Sequence, residues 1–263
     1  MVDKFIILIF FLVLMVMDKL INMDVYFLSK EEIREFMVKD EDKYVNGLSK
    51  YDLYARKIET KEKYIDKIKE QGKNCNIIEK MKIMYCINEV NKYLDRIDNK
   101  KMNDILFNIL DKEDINAIKK IKWNIAKMDE GYEDDKPHTR NNIIFITNKI
   151  LNDNDNKELM KTLIHEKLHI YQRYNVRRMN EIINKMGYIK MYTREEYIKE
   201  NKLLRSNPDV NDTIYYDIKN GRLCVGMYKS NEPLNIGDIN EEIDDREHPY
   251  EEMSYMIEKI VDI

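Results

Sequence analysis

The segment from Asn156 to Tyr174 contains no Pro or Gly and carries two histidines four residues apart, His165 and His169, with Glu166 directly after the first. Residues i and i+4 of an α-helix lie on one face, with Cβ atoms about 5–6 Å apart. Two imidazoles in that arrangement can bind one ion from the same side. Glu166 then lies about 100° around the helix axis from His165, beside the ion and not on it. This pattern requires a helix whose polar face is turned towards a ligand.

A pair of neutral imidazoles is typical of zinc sites, in which a third protein ligand and a water complete the coordination. Bound zinc lowers the pKa of its water from about 15.7 to about 7, and a neighbouring carboxylate can take the proton as the water attacks a carbonyl group. The alternative is coincidence: with four His in 263 residues, composition alone produces the motif in roughly one such chain in a few hundred. The apolar residues on both sides of the motif favour a metal site.

Length and composition exclude several classes of protein. At 263 residues the chain is long enough for one domain, or for one domain with a small appendage. Acidic and basic residues are intermixed, the net charge is -4 and no basic stripe stands out, so nucleic acid is not predicted as a partner. Seven Gly and four Pro favour a helix-rich fold. Three Cys without C-x-x-C spacing predict neither a disulfide framework nor a zinc ribbon.

An unbroken run of thirteen apolar residues extends from Phe5 to Met17. A helix that crosses a bilayer needs about 20 apolar residues, whereas the apolar core of a signal peptide needs about 7–15. No small-residue cleavage pattern follows the run, so we expect residues 1–23 to be a signal anchor or membrane segment. The membrane is then a partner through residues 5–17, and the chain is anchored in a membrane or exported. Lys4 and Lys19 flank the run almost symmetrically, which leaves the orientation open.

Residues 24–121 are predicted to form a helical N-terminal region. Apolar residues recur at helical spacing from Ser29 to Lys73, which indicates two amphipathic helices with a break near Asn46-Gly47. The pattern from Ile77 to Ile97 predicts another helix, and residues 103–121 predict a further helix or two short ones.

The remainder of the chain mixes short strands with helices. Strand patterns occupy residues 122–128 and 142–147, and two β-rich runs flank Asn220-Gly221, which is the strongest short-range signal for a hairpin. Helical patterns follow over 179–186, 193–204 and 249–261. We therefore expect a mostly helical α+β fold, in which residues 122–263 form the domain that carries the histidine motif.

A zinc site of this kind needs one more protein ligand. Glu251 and Glu252 lie at the start of the last predicted helix, directly after His248, Pro249 and Tyr250. A glutamate in the first turn of a helix is also common for capping and dipole reasons alone, so a structural role is the alternative. Because the H-E-x-x-H motif lacks a third ligand, we expect a carboxylate on this separate helix to complete the set.

The combination of H-E-x-x-H with a glutamate-bearing helix about eighty residues later resembles the gluzincin branch of the zincin metallopeptidases. In that branch the third ligand is a glutamate followed three positions later by a small residue, which Glu251 and Ser254 match. The resemblance implies a Zn²⁺ site formed by three ligands: His165, His169 and Glu251. It also implies that Glu166 is the catalytic general base and that the substrate is a peptide or protein.

The same resemblance implies a zincin-like fold, with a small edge-stranded sheet, an active-site helix and a C-terminal ligand helix. The strand that ends at Thr147 is similar to the edge strand on which zincins bind an extended substrate. The preceding segment Pro137-His138-Thr139 resembles that of uncharacterised metallopeptidase-like proteins of large DNA viruses. Apart from the resemblance, His138 is interpreted as a loop histidine and not as a ligand.

Efficient hydrolysis also needs a group that stabilises the oxyanion. Five residues are candidates, and a packed tyrosine or a surface charge is the alternative for each: Tyr255, Tyr215, Tyr216, Arg205 and His248. The main hypothesis is a membrane-tethered zinc metallopeptidase. The alternative is a catalytically inactive zincin-like module that binds a partner or supports a membrane or viral assembly. The sequence leaves the oligomeric state open.

Overall fold

The computed structural model of the protein describes residues 24–97, 109–153, 155–199, 203–240 and 248–262. The part before the histidine motif forms, in chain order, β1 Val25–Phe27, α1 Lys30–Lys39, α2 Tyr44–Gly47, α3 Lys50–Ala55, α4 Lys61–Glu70, α5 Ile77–Arg96, α6 Lys112–Lys120, β2 Trp123–Lys127, a 3₁₀ helix Tyr132–Asp135, β3 His138–Arg140, β4 Ile143–Ile146 and α7 Asn148–Asn152. The part that follows forms α8 Asn156–Tyr174, α9 Val176–Met186, β5 Tyr188–Thr193, α10 Arg194–Ile198, β6 Thr213–Asp217, β7 Arg222–Cys224, α11 Pro249–Glu258 and a 3₁₀ helix Lys259–Asp262.

Two small sheets lie among these helices. The first has the strand order β1-β2-β4-β3, in which β1, β2 and β4 are parallel and β3 is antiparallel to β4. The second is an antiparallel sheet with the order β5-β6-β7. The expectation of a mostly helical α+β fold is therefore confirmed.

The first sheet is covered on both faces, which explains why its inner strands are so apolar. Alternate residues of a strand point to opposite faces. In β4, Ile144 and Ile146 join the core that contains residues of α5 and α8, whereas Ile143 and Phe145 join a second core with residues of α1 and α4. Each fully buried side chain of this size contributes about 1.5–3 kcal/mol to the free energy of folding. The packing of both cores therefore holds the sheet in place.

The central helix of the larger core is α8. Its N-terminus is capped by Asp155, whose carboxylate accepts a hydrogen bond from the backbone N–H of Lys157. Every side chain from Leu163 to Gln172 is buried, and α5 and α11 pack against the helix. Polar side chains on a helix enclosed in this way must find partners inside the protein, because they cannot be hydrated.

The N-terminal region is divided more finely than its periodicity predicts. Residues 29–73 form the four helices α1 to α4 instead of two, since Ser29, Ser49 and Thr60 each cap a new helix start. In addition, β1 pairs in parallel with β2, so residues on both sides of position 121 share one sheet and one core. The N-terminal helices therefore pack onto the same sheet that lies beside α8.

Further along the chain, the strands predicted over 122–128 and 142–147 are present as β2 and β4. The predicted hairpin is present as well: β6 and β7 pair across Asn220-Gly221, where Gly221 has a φ of 66° that favours glycine. The helix predicted over 103–121 begins at Lys112 in the described part of the chain, and residues 98–108 lie outside that part. Strands β1, β3 and β5 are not predicted by the sequence pattern.

The assignment of residues 142–147 to the edge of the sheet is wrong. The corresponding strand, β4, lies between β2 and β3 and is paired on both sides. The edge strand that packs beside α8 is β3, which is only three residues long and so gives little alternation to detect. Any substrate that adds a strand on this side of the sheet would have to pair with β3.

The prediction that the chain is anchored in a membrane or exported through one is also wrong. Among the residues described, no helix is both long enough and apolar enough to cross a bilayer. The two longest, α5 and α8, are interrupted by charged residues such as Glu79, Lys82 and Lys167. The apolar run over residues 5–17, from which the prediction came, lies outside the described residues.

Candidate metal centre

Helices α8 and α11 bring three potential ligands to one point. The Oε2 atom of Glu251 lies 3.3 Å from Nε2 of His165 and 3.5 Å from Nε2 of His169. Two ligand atoms that bind one zinc ion at tetrahedral angles and ordinary bond lengths lie about 3.3 Å apart. All three side chains are buried, and the group could hold a metal ion.

The start of α11 determines which glutamate reaches the histidines. His248 is the N-cap, and its ring accepts a hydrogen bond from the backbone N–H of Tyr250, with Pro249 at the first helical position. With the helix beginning at this point, the side chain of Glu251 points into the protein. Glu252 is turned by about 100°, and its carboxylate accepts a hydrogen bond from the Tyr188 hydroxyl instead.

Each of the three potential ligands is oriented by a second polar group. Nδ1 of His165 lies 2.6 Å from Oε1 of Glu258, and Nδ1 of His169 lies 2.8 Å from Oε1 of Gln172. Since a carboxylate or amide oxygen can only accept, each Nδ1 carries a proton, and each Nε2 faces the shared point, where its lone pair can bind an ion in place of a proton. The side-chain amide of Asn207 donates to Oε1 of Glu251 at 2.7 Å, which leaves Oε2 for an ion. Such outer contacts fix the orientation of metal ligands.

Two atoms at the centre have no hydrogen-bond partner in the described part of the chain: Nε2 of His169 and Oε2 of Glu166. A buried polar atom without a partner costs about 1–3 kcal/mol. An ion at the shared point would bind the lone pair of His169, and a water beside the ion could donate to Glu166. The donor set of two imidazoles and one carboxylate, without a thiolate, fits zinc.

The charges of the site perturb one another. Burial raises the pKa of Glu166 well above its ordinary value, and the negative charge of Asp209 adds to the rise. Burial would lower the pKa of His165, but hydrogen bonds to Glu251 and Glu258 raise it well above its ordinary value. The pKa of Glu251 would be raised by burial and is instead held well below its usual range by the two histidines.

A cleft of about 370 Å³ opens beside these groups. It is lined by His165, Glu166, Glu251 and Tyr255, by residues 205–209, and by Ile236, Gly237 and Ile239. This volume is at the low end of the range of small-ligand sites, which is about 300–1,000 Å³. A second cavity, of about 1180 Å³, shares residues 205–208 in its lining and is lined by none of the three potential ligands.

The oxyanion candidates separate into two groups. Tyr255 and Arg205 line the cleft, and the ring of Tyr255 lies 5.0 Å from that of His165. Tyr215 and His248 pack against each other with ring centroids 5.1 Å apart, and both contact Asn211. These two, and also Tyr216 on β6, do not line the cleft.

His138 does not lie in a loop, as its sequence context suggests, but in the edge strand β3. It is buried, its ring stacks on Phe145 at 5.1 Å, and it lines the cleft. Burial lowers its pKa. It is therefore a neutral wall residue and not one of the group of potential ligands.

Sequence reasoning finds the histidine motif and Glu251 but misses the outer contacts. Glu258 and Gln172 could have been found, because Glu258 lies two helical turns after Glu251 and Gln172 one turn after His169. Asn207 comes from a loop and gives no such signal. No family model matches the chain, and no curated protein or solved structure matches it either.

Proposed function

We propose that the protein is a zinc-dependent metallopeptidase that hydrolyses peptide bonds. In this proposal His165, His169 and Glu251 bind the zinc ion, and Glu166 is the general base. The observation that carries the proposal is the convergence of three ligand atoms from two helices, about eighty residues apart in sequence. They lie beside the buried carboxylate of Glu166, whose Oε2 atom has no hydrogen-bond partner among the residues that the structure describes.

The proposed chemistry follows from the position of each group. When bound, the ion acts as a Lewis acid that lowers the pKa of a water in the cleft to about 7. Glu166 takes a proton as the water oxygen adds to the carbonyl carbon, and it returns this proton to the amine as the C–N bond breaks. Tyr255 and Arg205 are the cleft residues from which a donor to the oxyanion can come.

The order of elements supports the same proposal. A sheet with an antiparallel edge strand is followed by a helix that carries H-E-x-x-H and by a later helix that carries a glutamate. This is the arrangement expected of a zincin of the gluzincin type. The outer contacts of Glu258, Gln172 and Asn207 fit a site in which the ligands are held before the ion binds.

The test compares the zinc-loaded full chain with its Glu166→Gln variant. We expect Glu166→Gln to retain zinc, because this side chain is not a ligand, and to lose hydrolysis of an unstructured peptide library by at least about a hundredfold. The matched control is Glu158→Gln on the same helix, where the carboxylate is exposed and outside the cleft. Retained turnover in Glu166→Gln, or no turnover in any zinc-loaded form, would contradict the proposal.

One observation favours a second candidate, a zincin-like module that binds metal without hydrolysis. The outward-facing backbone groups of Thr139 on the edge strand are already hydrogen-bonded within the chain. An extended protein substrate therefore has no free position on β3. Against this candidate, a purely structural zinc site has no use for the buried carboxylate of Glu166. The same activity measurement separates the two functions.

A further inference from the structure

The edge strand β3 is the only strand of the first sheet that lies along the cleft in the described part of the chain. In an antiparallel pair, alternate residues exchange backbone hydrogen bonds with the neighbouring strand, and the residues between them turn these groups outward. Within the three residues of β3, the residue that faces outward is Thr139. An added peptide strand would have to use its N–H and C=O groups.

Both of these groups are occupied by the protein itself. The backbone N–H of Thr139 donates to Oδ1 of Asp209 at 2.5 Å, and its hydroxyl donates to the same oxygen at 2.9 Å. Its carbonyl oxygen accepts from Nη2 of Arg173 at 3.4 Å, and the same nitrogen donates to the carbonyl oxygen of Pro208 at 2.8 Å. The chain therefore covers this edge with its own side chains.

The covering segment is residues 205–209, which we call the strap. It is held at several points. The N–H and hydroxyl of Ser206 donate to the fully buried Asp52 at 2.8 and 2.7 Å, and Asn207 donates to Glu251 at 2.7 Å. Arg194 donates to the carbonyl oxygen of Arg205 at 2.6 Å. These contacts make the strap a fixed wall between the edge strand and the potential ligand Glu251.

The strap also lines two cavities. Residues 205–208 line both the cleft of about 370 Å³ at the metal centre and the cavity of about 1180 Å³ beyond it. A peptide that extended directly from one cavity into the other would therefore meet this shared wall. The cleft at the metal centre, taken by itself, is only large enough for a small ligand.

We propose that the strap determines substrate length, so that the metal centre acts on short peptides or flexible chain ends and not on extended segments paired with β3. This inference rests on the proposed peptidase function. It assigns to Asp209 the role of a specificity-determining residue, because its carboxylate occupies the position that a substrate carbonyl would take on Thr139.

The test measures peptide binding to the zinc-loaded full chain that carries Glu166→Gln, so that turnover does not interfere. Fluorescent peptides from a tripeptide up to about twelve residues are titrated by anisotropy. We expect affinity to stop rising beyond about four residues. The length series on this chain tests the inference without any change in the strap.

A second comparison adds Asp209→Ala, with Asp212→Ala as the control because Asp212 is exposed and three residues further along the same loop. We expect Asp209→Ala to increase the affinity for the longest peptide about tenfold, the effect of one recovered backbone hydrogen bond to the N–H of Thr139, and to leave the affinity for the tripeptide within about threefold. Asp212→Ala should match the parent chain.

The two possible failures are distinguishable. If the longest peptide binds the chain with the unaltered strap at least about tenfold more tightly than the four-residue peptide does, the inference is overturned and the peptidase function stands. An Asp209→Ala chain that folds and gains no affinity for long peptides also overturns it. If no peptide binds any zinc-loaded variant, the proposed function fails and the inference fails with it.

Discussion

Two buried clusters of charge lie in the walls of the same cleft, and they differ in how completely they are paired. At one end, Glu133 accepts hydrogen bonds from Arg56, Tyr44 and Tyr64, and Arg56 also donates to the backbone carbonyl oxygen of Asp52. In the other cluster, the metal centre, Nε2 of His169 and Oε2 of Glu166 have no hydrogen-bond partner in the described part of the chain. Both clusters contain ionisable groups that are almost fully enclosed.

This difference separates a structural cluster from a ligand site. Satisfied buried charges stabilise one arrangement of the chain, whereas unsatisfied ones destabilise it unless something binds to them. The Arg56–Glu133 pair joins the C-terminal end of α3 to the 3₁₀ helix after β2. Its charges are balanced within the protein, so it does not call for a bound ligand. The metal centre has three oriented ligand atoms and a nearby carboxylate, and it is completed by an ion and a water.

The largest expected effect is at the structural cluster. Arg56→Met leaves the carboxylate of Glu133 buried without its cation, which should reduce the free energy of unfolding by about 3–5 kcal/mol. Urea unfolding measures the change. In the double variant Arg56→Met/Glu133→Leu most of this loss should be recovered, because neither charge remains. A loss below about 1 kcal/mol in the single variant would show that this pair is not a satisfied structural unit.

The pH dependence of stability sharpens the same contrast. Burial would raise the pKa of Glu133, but Arg56 outweighs it and holds the pKa at about 2, compared with an ordinary value of 4.5. A group with a lowered pKa in the folded state stabilises the protein above its ordinary pKa. Its contribution of about 3 kcal/mol is therefore complete above pH 4.5 and lost as the pH falls through about 2.

The measurement for this prediction is the difference in unfolding free energy between the unaltered chain and Glu133→Gln, followed from neutral to acid pH. The difference should shrink steadily below pH 4.5. Groups that do not interact with Glu133 cancel in this comparison, whereas the charge of Glu133 raises the pKa of the nearby His138, so the titration of His138 is part of the measured difference. A difference that stays constant through the acid range would contradict the assigned pKa.

A smaller effect is expected from the outer contacts of the metal centre. Glu258→Ala removes the acceptor of the Nδ1 proton of His165, so the ring is no longer held and zinc affinity should fall by about 10–100-fold. Glu252→Ala, one helix turn before Tyr255 and bonded to Tyr188, is the control and should retain the affinity. Competition with a chromophoric chelator measures both. Equal affinities would mean that Glu258 does not position the ligand.

The sequence predicts the parts of the site that depend on local spacing. His165, Glu166 and His169 share a helix, so their relative positions follow from its geometry. The preference for Glu251 over Glu252 comes from the resemblance and agrees with the helix start at His248. β2, β4 and the hairpin at Asn220-Gly221 are predictable as well, because each carries alternation or turn residues of its own.

The remaining features depend on contacts between distant segments. β3 is short, and β5 alternates weakly because most of its side chains are exposed, so neither gives a clear pattern. Asn207 reaches Glu251 from a loop, and Asp209 covers Thr139 from 70 residues away. No local spacing encodes these pairs. The error about the edge strand has the same cause, since strand order is determined by tertiary packing.

The most direct test of the central claim is the zinc content of the full chain and of two neighbouring variants on α11. The account predicts about one zinc per chain, retained in Glu252→Gln and reduced in affinity by at least about a hundredfold in Glu251→Gln. A chain that binds no zinc, or a Glu251→Gln variant that binds it as tightly as the unaltered protein, would contradict the claim.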